Sequence, residues 1–194
     1  MENEFKNLVI SLHKQNKWKE ILDLDINSHK QEVVRNLLWI WPSIDNMNFL
    51  KRLIIENDLN GLASVGCGCG LLEWMFREFS DMNVLGYEIN KEWWTSKYSI
   101  PMFIDLIYCN QETKPKLNPK YALLFCYFND GEAFRKYIRS YSGNLVFIIG
   151  PGEGKGTHTE PRPFKPGFEN NNWMLHDYQE VKDTKDFIAA YIRK

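Results

Sequence analysis

Leu62-Ala63-Ser64-Val65-Gly66-Cys67-Gly68-Cys69-Gly70-Leu71-Leu72-Glu73 carries the reading of this chain. It begins as a short apolar run, places glycine at every second position from 66 to 70, and continues into Leu71, Leu72, Met75 and Phe76, which share one helical face. A strand therefore turns through a glycine loop into a helix. Glycines let the backbone bend sharply and approach a ligand with no Cβ in the way, and the helix start offers free N–H groups. Glu88 follows 22 positions after Gly66, at the end of the next apolar run Val84-Leu85-Gly86-Tyr87-Glu88-Ile89-Asn90. An acid at such a strand tip can accept both hydroxyls of a ribose.

Glycine loop plus acid points to an adenosine-containing cofactor, and two rival patterns fail on detail. A dinucleotide fingerprint needs its third glycine at position 71, which is Leu71. A phosphate-binding loop built on Gly154-Lys155-Gly156 would need glycine at Ile149 and a hydroxyl residue after Lys155.

Outside this stretch the chain changes texture at Gly61. Before it, Phe5, Leu8, Val9 and Leu12 share a helical face, as do Val33, Val34, Leu37, Leu38 and Trp41, with Pro42 closing that segment. Ser43 is placed to cap a further helix with Met47, Leu50, Leu53 and Ile54 inward, and Asn60-Gly61 supplies a stop. After Gly61, strands are expected near 62–66, 83–88, 102–108, 121–127 and 144–150, with helices between them, as in a parallel sheet covered on both faces. Asn110 to Lys120, with two prolines and few apolar residues, reads as a loop. Gly150 to His158, followed by Pro161, Pro163 and Pro166, cannot be regular helix, and Trp173 to Val181 with Phe187 to Ile192 reads as a closing antiparallel hairpin.

The loop-acid pair resembles the first motif and ribose-binding acid of the class I S-adenosylmethionine-dependent methyltransferases, and the terminal hairpin extends that resemblance over roughly residues 60 to 194. It implies an α/β Rossmann-like fold with a mostly parallel seven-stranded sheet and a C-terminal antiparallel hairpin. It also implies S-adenosylmethionine as cofactor, held by Gly66, Cys67, Gly68, Gly70, Glu88 and Ile89. Asp105 is a candidate for the adenine amino group, with Asn110 as the alternative, and Tyr127 or Phe128 for the surroundings of the sulfonium, because aromatic faces attract cations. Trp93 and Trp94 suit either stacking near the adenine or plain helix packing.

Two positions depart from the family pattern. Ser64 stands two residues before the first glycine, where an acid is usual. Cys126-Tyr127-Phe128-Asn129-Asp130 lacks the paired prolines of amino-methylating relatives, though Asn129 falls where they carry Asn or Asp. Asn129 and His158 are the catalytic candidates, His158 as a general base on a loop with Glu153, Lys155, Thr157 and Glu160 that reads as a substrate lid. A solvated loop histidine is the plainer reading of His158. The expected activity is methyl transfer to a small-molecule acceptor, or secondarily to a protein side chain. The alternative is a non-catalytic binding or scaffold protein of the same fold.

Composition is consistent with this and gives no strong nucleic-acid signal. The chain has 194 residues, 44% hydrophobic and 25% charged, with a net charge of −1, so no basic field draws nucleic acid. One domain is expected, with residues 1–60 as a helical cap on a 61–194 core. The amino terminus shows no leader pattern and no apolar run reaches membrane-spanning length, so a cytoplasmic protein with reduced cysteines is expected. Cys67-x-Cys69 offers two sulfurs with no second pair, which suits small residues in a tight loop better than a metal site.

Overall fold

Ser43 starts the best-defined amino-terminal helix as anticipated: its hydroxyl accepts the N–H of Asn46 while the Asn46 side chain accepts the N–H of Ser43, a reciprocal capping box. The computed structural model describes residues 2–109 and 116–194. Four helices precede the sheet: α1 (Glu2–Lys14), α2 (Trp18–Leu22), α3 (Gln31–Leu37) and α4 (Ile44–Glu56), with a 3-10 turn at Ile26–Ser28. In α1, Phe5, Val9 and Leu12 are buried as expected. Leu8 is not, because it flanks the inward stripe and projects to solvent. The second apolar face also differs: α3 ends at Leu37, Leu38 is extended, and Trp41 reaches the core from an irregular segment, donating its indole N–H to the carbonyl of Ile21 at 3.1 Å.

The end of α4 comes earlier than Asn60-Gly61 suggested. Asn57 donates its side-chain amide to the carbonyl of Leu53 at 2.9 Å and Asp58 takes the left-handed conformation, φ 55°, so the chain reverses on those two residues. Gly61 instead begins the first strand, where a Cβ would lie 2.7 Å from the ring of Tyr121.

The alternating half contains β1 (Gly61–Val65), α5 (Leu71–Ser80), β2 (Asn83–Glu88), α6 (Lys91–Trp94), β3 (Leu106–Tyr108), β4 (Tyr121–Cys126), α7 (Gly131–Ser140), β5 (Leu145–Pro151), β6 (Trp173–Glu180) and β7 (Asp186–Arg193). They form one seven-stranded sheet in the order β3-β2-β1-β4-β5-β7-β6. Strands β1 to β5 are parallel, and β7 runs antiparallel between β5 and β6. The expected hairpin is therefore present, inserted so that its second strand lies inside the sheet.

Residues along the central strands alternate between two apolar layers. Leu62, Leu124, Phe147 and Ile149 join Phe5, Leu50 and Phe76 on the face covered by α1 to α5, while Val65, Phe125, Val146 and Ile148 join Phe134 and Ile138 beneath α7. Burial on both faces explains why these strands read as continuous apolar runs. The third strand is the main departure from expectation, three residues long rather than seven. Phe103 and Ile104 leave the ladder to enter the core, and Phe103 donates its N–H to the carbonyl of Cys69 at 2.8 Å, so this segment props up the glycine loop. The segment expected as a loop from Asn110 lies partly outside the described residues; from Lys116 to Lys120 it is irregular. Among the described residues, no helix is long and apolar enough to cross a membrane.

Candidate functional site

The glycine loop leaves β1 with Gly66, Gly68 and Gly70 all at positive φ, 68°, 63° and 76°, a conformation that disfavours any side chain. Gly70 is also crowded, since a Cβ there would sit 2.4 Å from Ile104. Gly68 faces open space, its nearest neighbour being the ring of Trp94 at 3.8 Å. Glu88, at the end of β2, accepts the N–H of Gly68 at 2.7 Å on one carboxylate oxygen and that of Ile89 at 3.2 Å on the other. The loop and the acid are thus in direct contact. The cysteines between the glycines are packing groups: Cys67 fills space left by the missing Cβ of Gly86, and Cys69 donates its thiol to the carbonyl of Leu37 at 3.2 Å. Burial pushes the Cys69 thiol up to about 12 and raises that of Cys67 further, so both stay protonated.

Beneath the loop lies a pair that resolves the oddity of Ser64. Its hydroxyl donates to the Glu73 carboxylate at 2.6 Å, and both residues are buried. A carboxylate thus reaches Ser64 from the first turn of α5, on the helix that the glycines launch. The second oxygen of Glu73 has no hydrogen-bond partner. Burial pushes this carboxyl up to about 7, with the Ser64 hydrogen bond acting in the opposite direction and Glu88 adding to the rise.

At the tip of β4, Tyr127 adopts φ 50°, uncommon for a residue with a side chain, and is held there from three directions. Its N–H donates to the carbonyl of Ile149 at 2.8 Å, its ring stacks on Trp39 at 5.0 Å, and its hydroxyl donates to Asp186 at 2.7 Å. Asp186 is buried and also accepts from Lys155 and, at 3.2 Å, from the Thr184 hydroxyl. Burial, then the adjacent Asp186, raise the Tyr127 phenol, so it remains a neutral donor. Phe128 lies against Gly66, where a Cβ would be 2.8 Å from its ring.

The structure does not bring the other candidates into this cluster. Asn129 is exposed, and its backbone pairs with Glu160. His158 is exposed, with Nδ1 at 3.0 Å from the Arg162 guanidinium. Asp105 precedes β3 instead of ending it, because the ladder begins only at Leu106, opposite Gly86; it stands at the amino end of that strand while Glu88 stands level with Tyr108 at the other. Asn110 lies outside the described residues. His13 is packed edge-on against Trp74 and Phe103, and burial lowers its pKa.

No family model matches the sequence, and no match was found among curated proteins. Among solved structures, a point mutant of MtNAS aligns with 97% of this chain and 74% of its own at a TM-score of 0.57 and 10% identity. With the strand order and the reversed β7, that match decides the architecture. The chain has the Rossmann-like methyltransferase fold. Magnesium protoporphyrin IX methyltransferase from Synechocystis with bound SAM is also similar, at 13% identity, a TM-score of 0.48 and coverage of 77% of this chain and 79% of its own. A geranyl diphosphate methyltransferase in complex with SAM shows 10% identity, a TM-score of 0.47 and coverage of 75% and 85%.

Within this methyltransferase fold, loop and acid stand at the carboxyl edge of the parallel strands, where open α/β sheets bind ligands. The open face of Gly68 leaves room for a ligand to approach the backbone there. Sequence reading missed Glu73, Trp39 and Asp186 as parts of this cluster, and placed Lys155 on the lid loop without its contact to Asp186. Glu73 did leave a signal, being the one charge in Leu71-Leu72-Glu73-Trp74-Met75-Phe76. Trp39 and Asp186 left none, since each reaches Tyr127 only through the tertiary fold.

Proposed function

We propose that this protein is an S-adenosylmethionine-dependent methyltransferase, with residues 1–60 acting as a cap on the 61–194 core. The observation that carries the reading is the contact between the open glycine, Gly68, and the Glu88 carboxylate at adjacent strand tips. Glu88 would take the ribose hydroxyls, Gly66 to Gly70 the backbone-facing side of the cofactor, and Ile89 would pack beside the base. When bound, S-adenosylmethionine supplies an electrophilic methyl group on a sulfonium.

The protein's own contribution is alignment and exclusion of water, because in-line displacement by a competent nucleophile draws most of its acceleration from proximity. Tyr127 and Trp39 form a stacked aromatic wall beside the loop, and aromatic faces favour a cation. The Asp186 and Lys155 contacts fix the Tyr127 hydroxyl, so the ring cannot swing away when the acceptor enters. No general base is needed for an acceptor whose nucleophile is already deprotonated, which fits the exposed positions of Asn129 and His158.

Calorimetric titration with S-adenosylmethionine and S-adenosylhomocysteine, repeated on Glu88→Ala, tests the reading. Saturable binding by the wild type and its loss in the variant are expected. Failure of the wild-type protein to bind either compound would falsify the proposal and leave a non-catalytic role for the fold.

A further inference from the structure

Between the cap and the core lies a crevice of about 760 Å³ that Gly66 to Gly70, Glu88 and Ile89 do not line. Its walls come from two distant parts of the sequence: α1, α3 and Trp39 on the cap side, and Trp93, Trp94 and Tyr98, on and after α6, on the core side. The volume falls within the range of small-molecule sites, roughly 300 to 1,000 Å³. Three of its rings remain substantially open to solvent, Trp39 at 52%, Trp93 at 49% and Tyr98 at 75%. Large rings left exposed around one concavity mark a binding surface better than they mark a core.

The polar groups on the crevice narrow the ligand class. Lys6 and Arg35 line the crevice together with one carboxylate, Glu32, and among the described residues neither cation takes part in an ion pair. Arg35 lies over the ring of Trp39 at 5.9 Å, which orients the guanidinium without neutralising it. Rings suited to stacking, with an uncommitted guanidinium and ammonium, match a flat molecule carrying an acidic group.

The crevice also has access to the proposed chemistry. Trp94 is the nearest neighbour of the open side of Gly68, and Trp39 is stacked on Tyr127 at the tip of β4. A ligand lying between them has one end near the glycine loop and the other among the cations.

We propose that this crevice is the acceptor subsite and that it takes a planar aromatic acid, with Lys6 and Arg35 reading the acid group and Trp39, Trp93 and Trp94 the ring system. This rests on the methyltransferase reading for its place in a reaction, but not for its binding chemistry. Naphthalene-2-carboxylate and its isosteric amide, naphthalene-2-carboxamide, are suitable probes, titrated by calorimetry with and without saturating S-adenosylhomocysteine. The carboxylate is expected to bind about tenfold tighter than the amide, the scale of one charge-assisted contact pair. In the Lys6→Gln, Arg35→Gln double variant that preference should disappear, and Trp93→Ala should weaken both probes together. Equal binding of acid and amide, absence of binding by the acid, a preference surviving the double variant, indifference to Trp93→Ala, or displacement of the probe by S-adenosylhomocysteine each overturns the proposal. Because the homocysteine titration reports separately on the glycine loop, loss of the cofactor reading and loss of this one are distinguishable. Arg35 and Trp93 are exposed and Lys6 is half-buried, so unchanged melting temperatures serve as the check that each variant folds.

Discussion

Replacing Glu73 by glutamine isolates the most unusual electrostatic feature of the molecule. The carboxyl is buried, bound on one oxygen by Ser64 and unpartnered on the other, and its pKa rises from 4.5 to about 7. A folded-state pKa raised above the unfolded value means that the native protein binds the proton more tightly. The stabilisation is therefore complete below about pH 4.5 and is lost as pH rises to about 7. A displacement of that size corresponds to roughly 3 kcal/mol. Glutamine keeps an oxygen for Ser64 and cannot ionise. Its unpaired amide costs roughly 1 to 3 kcal/mol, but that amount does not vary with pH. The slope of stability against pH is thus the diagnostic quantity. Urea unfolding between pH 4.5 and 8, followed by tryptophan fluorescence, should show the variant gaining roughly 3 kcal/mol on the wild type across the range. At a slope of roughly 2 kcal/mol per molar urea, the difference in midpoints changes by more than about 1 M. Parallel profiles for the two proteins would show that Glu73 titrates as an ordinary carboxylate and would refute the account of the Ser64 pair.

Three further outcomes are expected. Asp186→Ala should destabilise the fold by roughly 3 to 5 kcal/mol, because it strands Lys155 and the Tyr127 hydroxyl around a buried gap, whereas Tyr127→Phe should cost only about 1 kcal/mol; chemical denaturation distinguishes the two. Gly70→Ala should lose more stability than Gly68→Ala in the same assay, since both are at positive φ but only Gly70 also clashes, at 2.4 Å from Ile104. Equal losses would mean that Ile104 yields freely. Ser43→Ala should lower stability by about 1 kcal/mol through the broken capping box while leaving S-adenosylhomocysteine binding unchanged, as judged by thermal melts and calorimetry.

Local chemistry made much of this molecule legible in its sequence. Glycine at 66, 68 and 70 after an apolar run specifies a strand, a positive-φ turn and a helix start whatever surrounds them, and Glu88 at the next strand end belongs to the same local grammar. Ser43 marks a helix start for the same reason, as it acts on backbone groups within a few residues. The closing hairpin was readable from its two extended runs and the polar turn between them.

Position relative to the sheet edge was not readable, and there tertiary packing ruled. The third strand shortened because Phe103 and Ile104 are worth more in the core than in an edge ladder, and that moved Asp105 away from the strand tip. Asn129 and His158 stand near the right edge in sequence order yet face solvent, because side-chain direction in a loop depends on neighbours from other elements. Ser64 looked like a lost acid until α5 folded back to place Glu73 upon it, nine residues on. Trp39 meets Tyr127, and Asp186 meets Lys155, across gaps in the chain that no periodicity spans. The sequence by itself determined the glycine loop and the order of elements, since those follow from backbone conformation and local hydrophobic period. Only the tertiary structure decided which charges are buried and which rings share a crevice, since those depend on contacts between segments far apart in the chain.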